Sequence, residues 1–489
     1  MQLRLIARTA TANLIRFGSG LVMLIATPFL LNRFGSEDYS VWVIVIQVTT
    51  YVSMLEVGIG DAIVRFVAPH ARAHHVDDAA IEVMRAGFVV ETVFASAGAV
   101  LAGVLSALVP VIFAQIPDSS LGVARSGFLI VGLASAAHLF VAPIGGYFNA
   151  IQRNMGPAVA MLAVRVIAMV GVVLAASHGL RAAAVALAVG LVVNLVVQTV
   201  LFRLDFRHFR LFGRVSGSLS RAIFSHCSTM MIWSAAGFMV SGLDTGVVGA
   251  FDFGRVGPYA IAASATALVF GIHSALISAF IPDIARHHAA GDREGVTTSV
   301  LTAADFANLY LLLACAATAA YGRTALRLWL GEGPAQLVYP LFVALVIAKT
   351  AGALLSPYVA GLIGSGDHRR VRATPLIEGI SNLGASIVLT WQLGAIGAAL
   401  GTLVGCMVGA GLHLGYNVPR TTQFDLPRAR YFTRTVLPAT VAAAPLGVVG
   451  LLQPTASAAY LASLAVATLA TVVLALRIAR RAIGSRELT

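Results

Sequence analysis

Residues 40–60 read SVWVIVIQVTTYVSMLEVGIG, a mostly apolar run with one charged side chain, Glu56. A helix needs about 20 such residues to cross the hydrocarbon core of a bilayer. The whole chain is 58% hydrophobic and 11% charged, whereas charged residues make up about 25% of an ordinary soluble domain. The run therefore predicts a transmembrane helix in a membrane protein.

Thirteen further stretches meet or approach this length, so the sequence predicts an all-α polytopic membrane protein with about 14 transmembrane helices. The connecting loops are too short for a separate domain. The first span lacks a small-x-small cleavage site, so we expect it to be retained as a helix. The predicted spans are 14–31, 40–60, 86–113, 127–148, 156–176, 182–202, 227–248, 258–281, 300–320, 339–363, 374–391, 395–414, 435–452 and 456–476.

Basic residues are distributed unevenly between the two sides that these spans define. With the N-terminus inside, the cytoplasmic segments hold 24, the opposite segments hold 6 and the spans hold 3, which accounts for all 33. This bias follows the positive-inside rule, and an even number of spans returns the C-terminus to the cytoplasm. We expect a bacterial inner-membrane protein with both termini cytoplasmic, and we assign the net charge of +12 to topology rather than to nucleic-acid binding.

The sequence also disfavours several kinds of chemistry. It contains no GxxxxGK[ST] nucleotide-binding pattern, so ATP is not the energy source unless another subunit supplies it. The three cysteines lie in apolar spans, and neither they nor the histidines of the spans have metal-ligand spacing. We therefore expect no metal, no cofactor and no enzymatic activity, and a gradient of H+ or Na+ stays open as the source of energy.

The chain resembles a duplication. Phe34-Gly35 followed by Tyr39 is similar to Phe253-Gly254 followed by Tyr259, and a basic, histidine-containing loop comes after each of the spans that follow. Two six-helix halves in the same orientation are what a parallel repeat produces, with the substrate path between them. We predict an N-terminal lobe over 1–224, a C-terminal lobe over 225–420 and two additional helices with a cytoplasmic tail over 421–489.

The first 75 residues carry a pattern that resembles the polysaccharide flippases of the multidrug/oligosaccharidyl-lipid/polysaccharide exporter (MOP) superfamily, which handle O-antigen and exopolysaccharide repeat units. Members usually carry Asp-Leu-Gly where this chain has Glu56-Val57-Gly58, a departure that keeps the charge. Helix count and the two-lobe plan extend the likeness along the chain. The pattern comprises Asn13, Arg16, Thr27-Pro28-Phe29-Leu30-Leu31, Phe34-Gly35, Tyr39, Trp42, Leu55-Glu56-Val57-Gly58-Ile59-Gly60-Asp61-Ala62 and Arg65.

The resemblance implies a transporter that moves undecaprenyl-diphosphate-linked oligosaccharide from the cytoplasmic to the periplasmic leaflet, by alternating access between two lobes. Its implied partners are that lipid-linked oligosaccharide, membrane lipids, and the polymerase and chain-length regulator proteins of polysaccharide synthesis. Two alternatives remain. One is a cation-coupled drug antiporter of the same superfamily, which the acidic residues allow. The other is a membrane polymerase or ligase, which the short external loops disfavour.

Nine charged residues lie inside the predicted spans or at their edges, and inside a span a charge costs roughly 2.5 to 3.5 kcal/mol unless it faces a cavity or a partner. Lys349, the only lysine of the chain, lies near the middle of its span. Its ammonium suits a diphosphate or, by losing a proton, ion coupling; a structural ion pair is the alternative. Arg16 and Arg165 suit bidentate phosphate recognition, and snorkelling to the interface is their alternative.

Polar residues also recur at helical spacing in three spans. The stripes are Gln47, Tyr51, Met54, Gly58 and Asp61; Ser234, Gly237, Ser241 and Asp244; and Glu378, Asn382 and Ser386. Such stripes line a cavity or let helices pack closely. Acidic residues near the span ends either close a gate with Arg16 and Arg65 or lie at the interface. The candidates for the substrate path are Arg16, Arg165, Lys349, Gln47, Tyr51, Ser241 and Asn382, and those for coupling or gating are Glu56, Asp61, Glu91, Asp244, Asp305 and Glu378.

Overall fold

The computed structural model describes the backbone of residues 2–56, 58–72, 75–207, 209–210, 213, 215–367, 371, 373–452 and 458–484. Within these ranges it describes all side chains except those of 2–20, 71–72, 75–76, 229, 232–233, 241, 451, 458–461 and 479–484. Almost all of this backbone is helical.

The helices are α1 (Gln2–Ser53), α2 (Ile59–Val67), α3 (Asp78–Ile112), α4 (Asp118–His138), α5 (Val141–Ala150), α6 (Met155–Ala175), α7 (Leu180–Asp205), α8 (Gly217–Ser241), α9 (Asp244–Phe251), α10 (Val256–Ser278), α11 (Ile281–Ala289), α12 (Arg293–Leu330), α13 (Glu332–Ala353), α14 (Ser356–Gly364), α15 (Ala373–Leu393), α16 (Ala395–Leu412), α17 (Arg428–Tyr431), α18 (Leu437–Leu452) and α19 (Ala458–Gly484). Two short strands, β1 (Ala71–Arg72) and β2 (His75–Val76), pair antiparallel between α2 and α3.

Within the described residues, ten helical runs are long and apolar enough to cross a membrane, or eleven if the bent pair α8 and α9 forms one span. The predicted class, an all-α multi-pass membrane protein, is therefore confirmed. The run Leu21–His70 counts once although it contains Gly35, whose φ of +74° interrupts the helix. The predicted number of fourteen spans stays a prediction.

The chain folds as two compact units, each with its own buried apolar cluster. Unit 1 comprises residues 1–238 with 245–257, and unit 2 comprises 239–244 with 258–489. In unit 1, Ile63, Met84 and Phe202 belong to one cluster; in unit 2, Val300, Tyr358 and Phe424 belong to another. The predicted boundaries after residues 224 and 420 stay predictions.

The two units repeat one order of elements. A nine-residue helix, α2 or α11, precedes a long helix of 35 residues in α3 or 38 in α12. The next helix, α4 or α13, is followed after a short break by a helix of ten residues, α5, or nine, α14. The short helices pack together within their unit, α2 on α5 and α11 on α14. This is the arrangement that an internal duplication predicts.

Two of the three predicted polar stripes do not lie on one continuous helix face. Helix α1 ends at Ser53, a 3₁₀ turn covers Met54–Glu56, and Gly58 has a φ of +93° before α2 begins. Asp61 therefore does not share a helix face with Gln47. Likewise α8 ends at Ser241 and α9 starts at Asp244, with a bend of 42° at the break. A 3.6-residue period holds only while the helix is unbroken.

Candidate functional site

The site of unit 2 is built around Asp244, the first residue of α9. Its side chain is 3% exposed, and the Thr402 hydroxyl of α16 donates to its Oδ2 at 3.1 Å. The other oxygen, Oδ1, has no well-aligned hydrogen-bond partner. The Tyr259 and Ser386 side chains lie next to the carboxylate. A buried carboxylate with an open acceptor can take a proton or a small cation.

Helix α15 holds the backbone around this carboxylate in place. Asn382 donates through Nδ2 to the Val240 carbonyl at 3.2 Å, which satisfies a carbonyl in the last turn of α8. The Ser386 hydroxyl lies 3.4 Å from the Asn382 Oδ1 and 3.4 Å from the Ala398 carbonyl. Carboxylate, hydroxyl and carbonyl oxygens therefore converge where α8, α15 and α16 meet.

The third stripe lies on one helix, as predicted. Glu378, Asn382 and Ser386 are all on α15, and each faces a glycine of α16, in order Gly409, Gly405 and Gly401. A Cβ on Gly405 would come 2.5 Å from the Cβ of Asn382. The glycines therefore let α15 approach α16 closely, while Asn382 and Ser386 are fully buried between them.

Lys349 supplies the positive charge of this site. It lies on α13, and the electrostatic influence of Asp244 and Cys406 reaches its ammonium. One turn further along, Gly352 lies against Cys406 of α16, where an added Cβ would come 3.0 Å from the cysteine Cβ. Since Thr402 is one turn before Cys406, Lys349 lies at the depth of the Thr402–Asp244 hydrogen bond. The structure thus brings Lys349 and Asp244 together, 105 positions apart in sequence.

A comparable group of charges lies in unit 1. Glu91, in the middle of α3, is fully buried, and neither carboxylate oxygen has a hydrogen-bond partner. Glu56 lies in the turn between α1 and α2, and its charge interacts with Glu91 and with Arg165 of α6. The field of Arg165 also reaches His138, whose Nε2 lies 3.1 Å from Nδ2 of Asn194. Each unit therefore holds a buried carboxyl group, Glu91 or Asp244, in a group that includes one basic side chain.

The remaining candidates have separate positions. Tyr51 lies beside Gln47 and makes an edge contact with Phe238 at 6.0 Å between centroids. Asp61 is exposed in the first turn of α2. Asp305 accepts from Nη2 of Arg434 at 3.1 Å, an ion pair that the sequence did not suggest. The side chains of Arg16 and Ser241 lie outside the described residues.

Sequence reasoning missed the neutral members of both sites, Thr402 and Tyr259 in unit 2 and Asn194 in unit 1. Each is a single polar residue in an apolar helix, which is a signal too weak to select it from many others. Within the part of the chain that the structure describes, no group of three or more His, Cys, Asp or Glu side chains is placed to hold a metal ion.

No protein-family model and no curated protein sequence matches this chain. Solved structures do. A lipid II flippase MurJ in an inward closed conformation is 15% identical with a TM-score of 0.77, covering 98% of this chain and 99% of that one. An inward-facing MATE family multidrug transporter of the MOP superfamily is 16% identical with a TM-score of 0.56, covering 84% and 94%. A MOP superfamily transporter from Pyrococcus furiosus is 15% identical with a TM-score of 0.51, covering 82% and 95%.

These likenesses agree with the element order of both units, because they extend over most of each chain. The second and third of these proteins are described as members of the superfamily that the first 75 residues resemble. The protein is therefore a multi-pass membrane protein with the fold shared by the MurJ flippase and the MATE transporters of the MOP superfamily.

Proposed function

We propose that this protein is a flippase that moves undecaprenyl-diphosphate-linked oligosaccharide from the cytoplasmic to the periplasmic leaflet of the inner membrane. The observation that carries this proposal is the extent of the structural likeness. The MurJ likeness covers 98% of the chain, while that to the multidrug transporter leaves about a sixth of it without a counterpart. A lipid-linked substrate also accounts for the pattern in the first two spans.

The C-terminal helices offer a place for the lipid part of such a substrate. Helices α18 and α19 flank a shallow, open groove of about 850 Å³ with an apolar lining that includes Val441, Val448, Val466 and Leu474. A long hydrocarbon chain is stabilised wherever it covers apolar surface. A polyprenyl tail would lie there while the diphosphate and glycan move along the polar path.

Lys349 and Asp244 give the transport cycle a charge-exchange step. While Asp244 is ionised, the two opposite charges neutralise each other. When Asp244 binds H+ or Na+, the ammonium loses its counter-charge and becomes available to the substrate diphosphate. Binding of the cation and of the substrate would then favour each other, as coupling requires.

The proposal is tested by depleting the protein and labelling lipid-linked glycan separately in each leaflet. We expect repeat units to accumulate in the cytoplasmic leaflet. Normal periplasmic delivery with failed polymerisation would instead indicate a polymerase or ligase, the alternative that the short loops disfavour. In the flippase account, the polymerase and chain-length regulator act on units that this protein has delivered.

A second candidate, a cation-coupled drug antiporter, is favoured by one observation. Asp244 is a buried carboxylate whose Oδ1 has no well-aligned donor, which suits cation-for-drug exchange as well as lipid transport. The two functions predict different phenotypes. The antiporter predicts greater drug sensitivity on depletion with normal glycan delivery, whereas the flippase predicts a defect in glycan delivery.

A further inference from the structure

Glu91 of unit 1 is buried in a way that an ionised carboxylate does not tolerate. The side chain is 0% exposed, and neither Oε1 nor Oε2 has a hydrogen-bond partner. Buried charges in proteins are paired and hydrogen-bonded, and a carboxylate without any donor is strongly disfavoured relative to the neutral acid. The protonated form is therefore the one that fits this conformation.

The break between α1 and α2 places a second carboxyl at the same depth. On one side of Glu91, Gly98 lies against Leu55, with 3.6 Å between an added Cβ and the leucine Cδ1. On the other side, Gly87 lies against Ile63. The segment from Leu55 to Ile63 therefore passes Glu91 and includes Glu56, in agreement with the electrostatic interaction of the two carboxyl groups.

The charges around Glu91 come from the neighbouring elements. The turn before α2 brings Glu56, and Arg165 of α6 acts on Glu56. Helix α2 contributes Asp61 and helix α8 contributes Cys227. The Cys227 thiol interacts electrostatically with both Glu91 and Asp61. His138 of α4 is near Arg165 and is held by Asn194 of α7, while α5 contains no charged residue. With both glutamates ionised, the group of Glu56, Glu91 and Arg165 carries one excess negative charge, and one proton removes it.

Helix α8 closes this group off. Phe224 of α8 stacks on Phe94, one turn from Glu91, at 5.7 Å between centroids. One turn along α8, the Cα of Cys227 would lie 3.1 Å from a Cβ on Gly58. The fully buried Cys227 thus packs beside the turn that carries Glu56, in the same apolar cluster as Val90 and Phe94 of α3. Displacing α8 would remove this packing and open the α8 side of the group to water.

We propose that Glu91 is a proton-binding site, protonated in this conformation, which releases its proton to water when α8 moves away. The guanidinium of Arg165, whose charge already acts on Glu56, then balances the new carboxylate. H+ is thus the ion that unit 1 exchanges during the conformational cycle. The role in transport rests on the proposed flippase function, whereas the protonation itself does not.

Infrared spectroscopy of the purified full-length protein tests the site directly, because a protonated carboxyl has its own carbonyl stretch. We expect a protonated-carboxyl band at neutral pH that belongs to Glu91 and is lost in Glu91→Gln, while any bands of other buried carboxyl groups, such as Asp244, persist. The matched control is Glu37→Gln, which makes the same change at an exposed position of α1 and should leave the band in place. If the wild type lacks the band, or if Glu91→Gln keeps it, the proposal is wrong.

Thermal stability gives a second measurement that does not depend on spectroscopy. Since the folded chain holds a proton that the unfolded glutamate has released at neutral pH, raising the pH disfavours the folded state. The Tm of the wild type should therefore fall with rising pH more steeply than that of Glu91→Gln, which mimics the neutral acid. Equal slopes would overturn the proposal. Loss of the band in Glu91→Gln together with normal glycan delivery on depletion would overturn the flippase function and leave the proton site standing.

Discussion

Replacing Lys349 by methionine is expected to destabilise the protein by leaving Asp244 buried without a cation. The carboxylate is 3% exposed, and its Oδ1 lacks a well-aligned donor. Removing one partner of a buried charge pair costs about 3–5 kcal/mol. Because Lys349 acts on Asp244 through its field rather than through a close ion-pair contact between described side chains, and Thr402 still donates to Oδ2, we expect a loss no greater than the lower end, about 3 kcal/mol in the free energy of unfolding. That is a large share of a typical stability of roughly 5–15 kcal/mol.

The double variant Lys349→Met/Asp244→Asn separates stability from transport. This variant leaves no unpaired charge buried, so the Tm of the detergent-solubilised protein should return most of the way to the wild-type value. Glycan delivery should stay defective. Lys349→Arg is the companion variant, since it keeps the charge but cannot release a proton. The pairing is refuted if Lys349→Met is as stable as the wild type. If the double variant restores both stability and delivery, Lys349 is a structural ion-pair member only.

Three further predictions concern the fold and the topology. Gly58→Ala should lower the free energy of unfolding by about 1–2 kcal/mol, because its φ of +93° is left-handed and α8 leaves no room for a Cβ. The control Gly103→Ala should not lower it, because nothing lies within 4 Å of the added Cβ. Asn308→Leu should lower the Tm through a loss of about 1–3 kcal/mol in the free energy of unfolding, because the buried Asn308 amide donates to two hydroxyl groups at 3.2 Å. The control is Asn32→Leu, at an exposed position of α1. Reporter fusions placed after Phe202, Leu414 and Leu476 should all report a cytoplasmic location. A periplasmic signal at any one of them contradicts the predicted topology.

The sequence predicts the fold class because the hydropathy of each residue is known without any tertiary contact, and long apolar runs indicate helices that lie in lipid. It also predicts that Glu378, Asn382 and Ser386 share a helix face, since no break interrupts α15. It does not predict where a helix stops inside the bilayer. Gly58 is one glycine among 47, and only its φ of +93° shows that the stripe from Gln47 ends before Asp61.

The composition of the two charged sites is even less accessible to sequence reasoning. Glu56, Glu91 and Arg165 come from three separate parts of unit 1, and no spacing rule connects them. Depth along a predicted span correctly marks Lys349 as an expensive charge, yet it does not identify Asp244 as its neighbour. Those contacts depend on how α3, α6, α13 and α16 pack, and such long-range packing is not encoded in a local period.

The most direct test of the central claim is translocation by the purified protein in proteoliposomes. Undecaprenyl-diphosphate-linked oligosaccharide is placed in both leaflets, and a glycosidase that cannot cross the membrane reports how much reaches the outer one. The flippase account predicts that vesicles with the wild-type protein expose nearly all of the glycan, while empty vesicles and those with Lys349→Met/Asp244→Asn expose only the outer half. Equal exposure in wild-type and empty vesicles, with the protein folded and inserted, would contradict it.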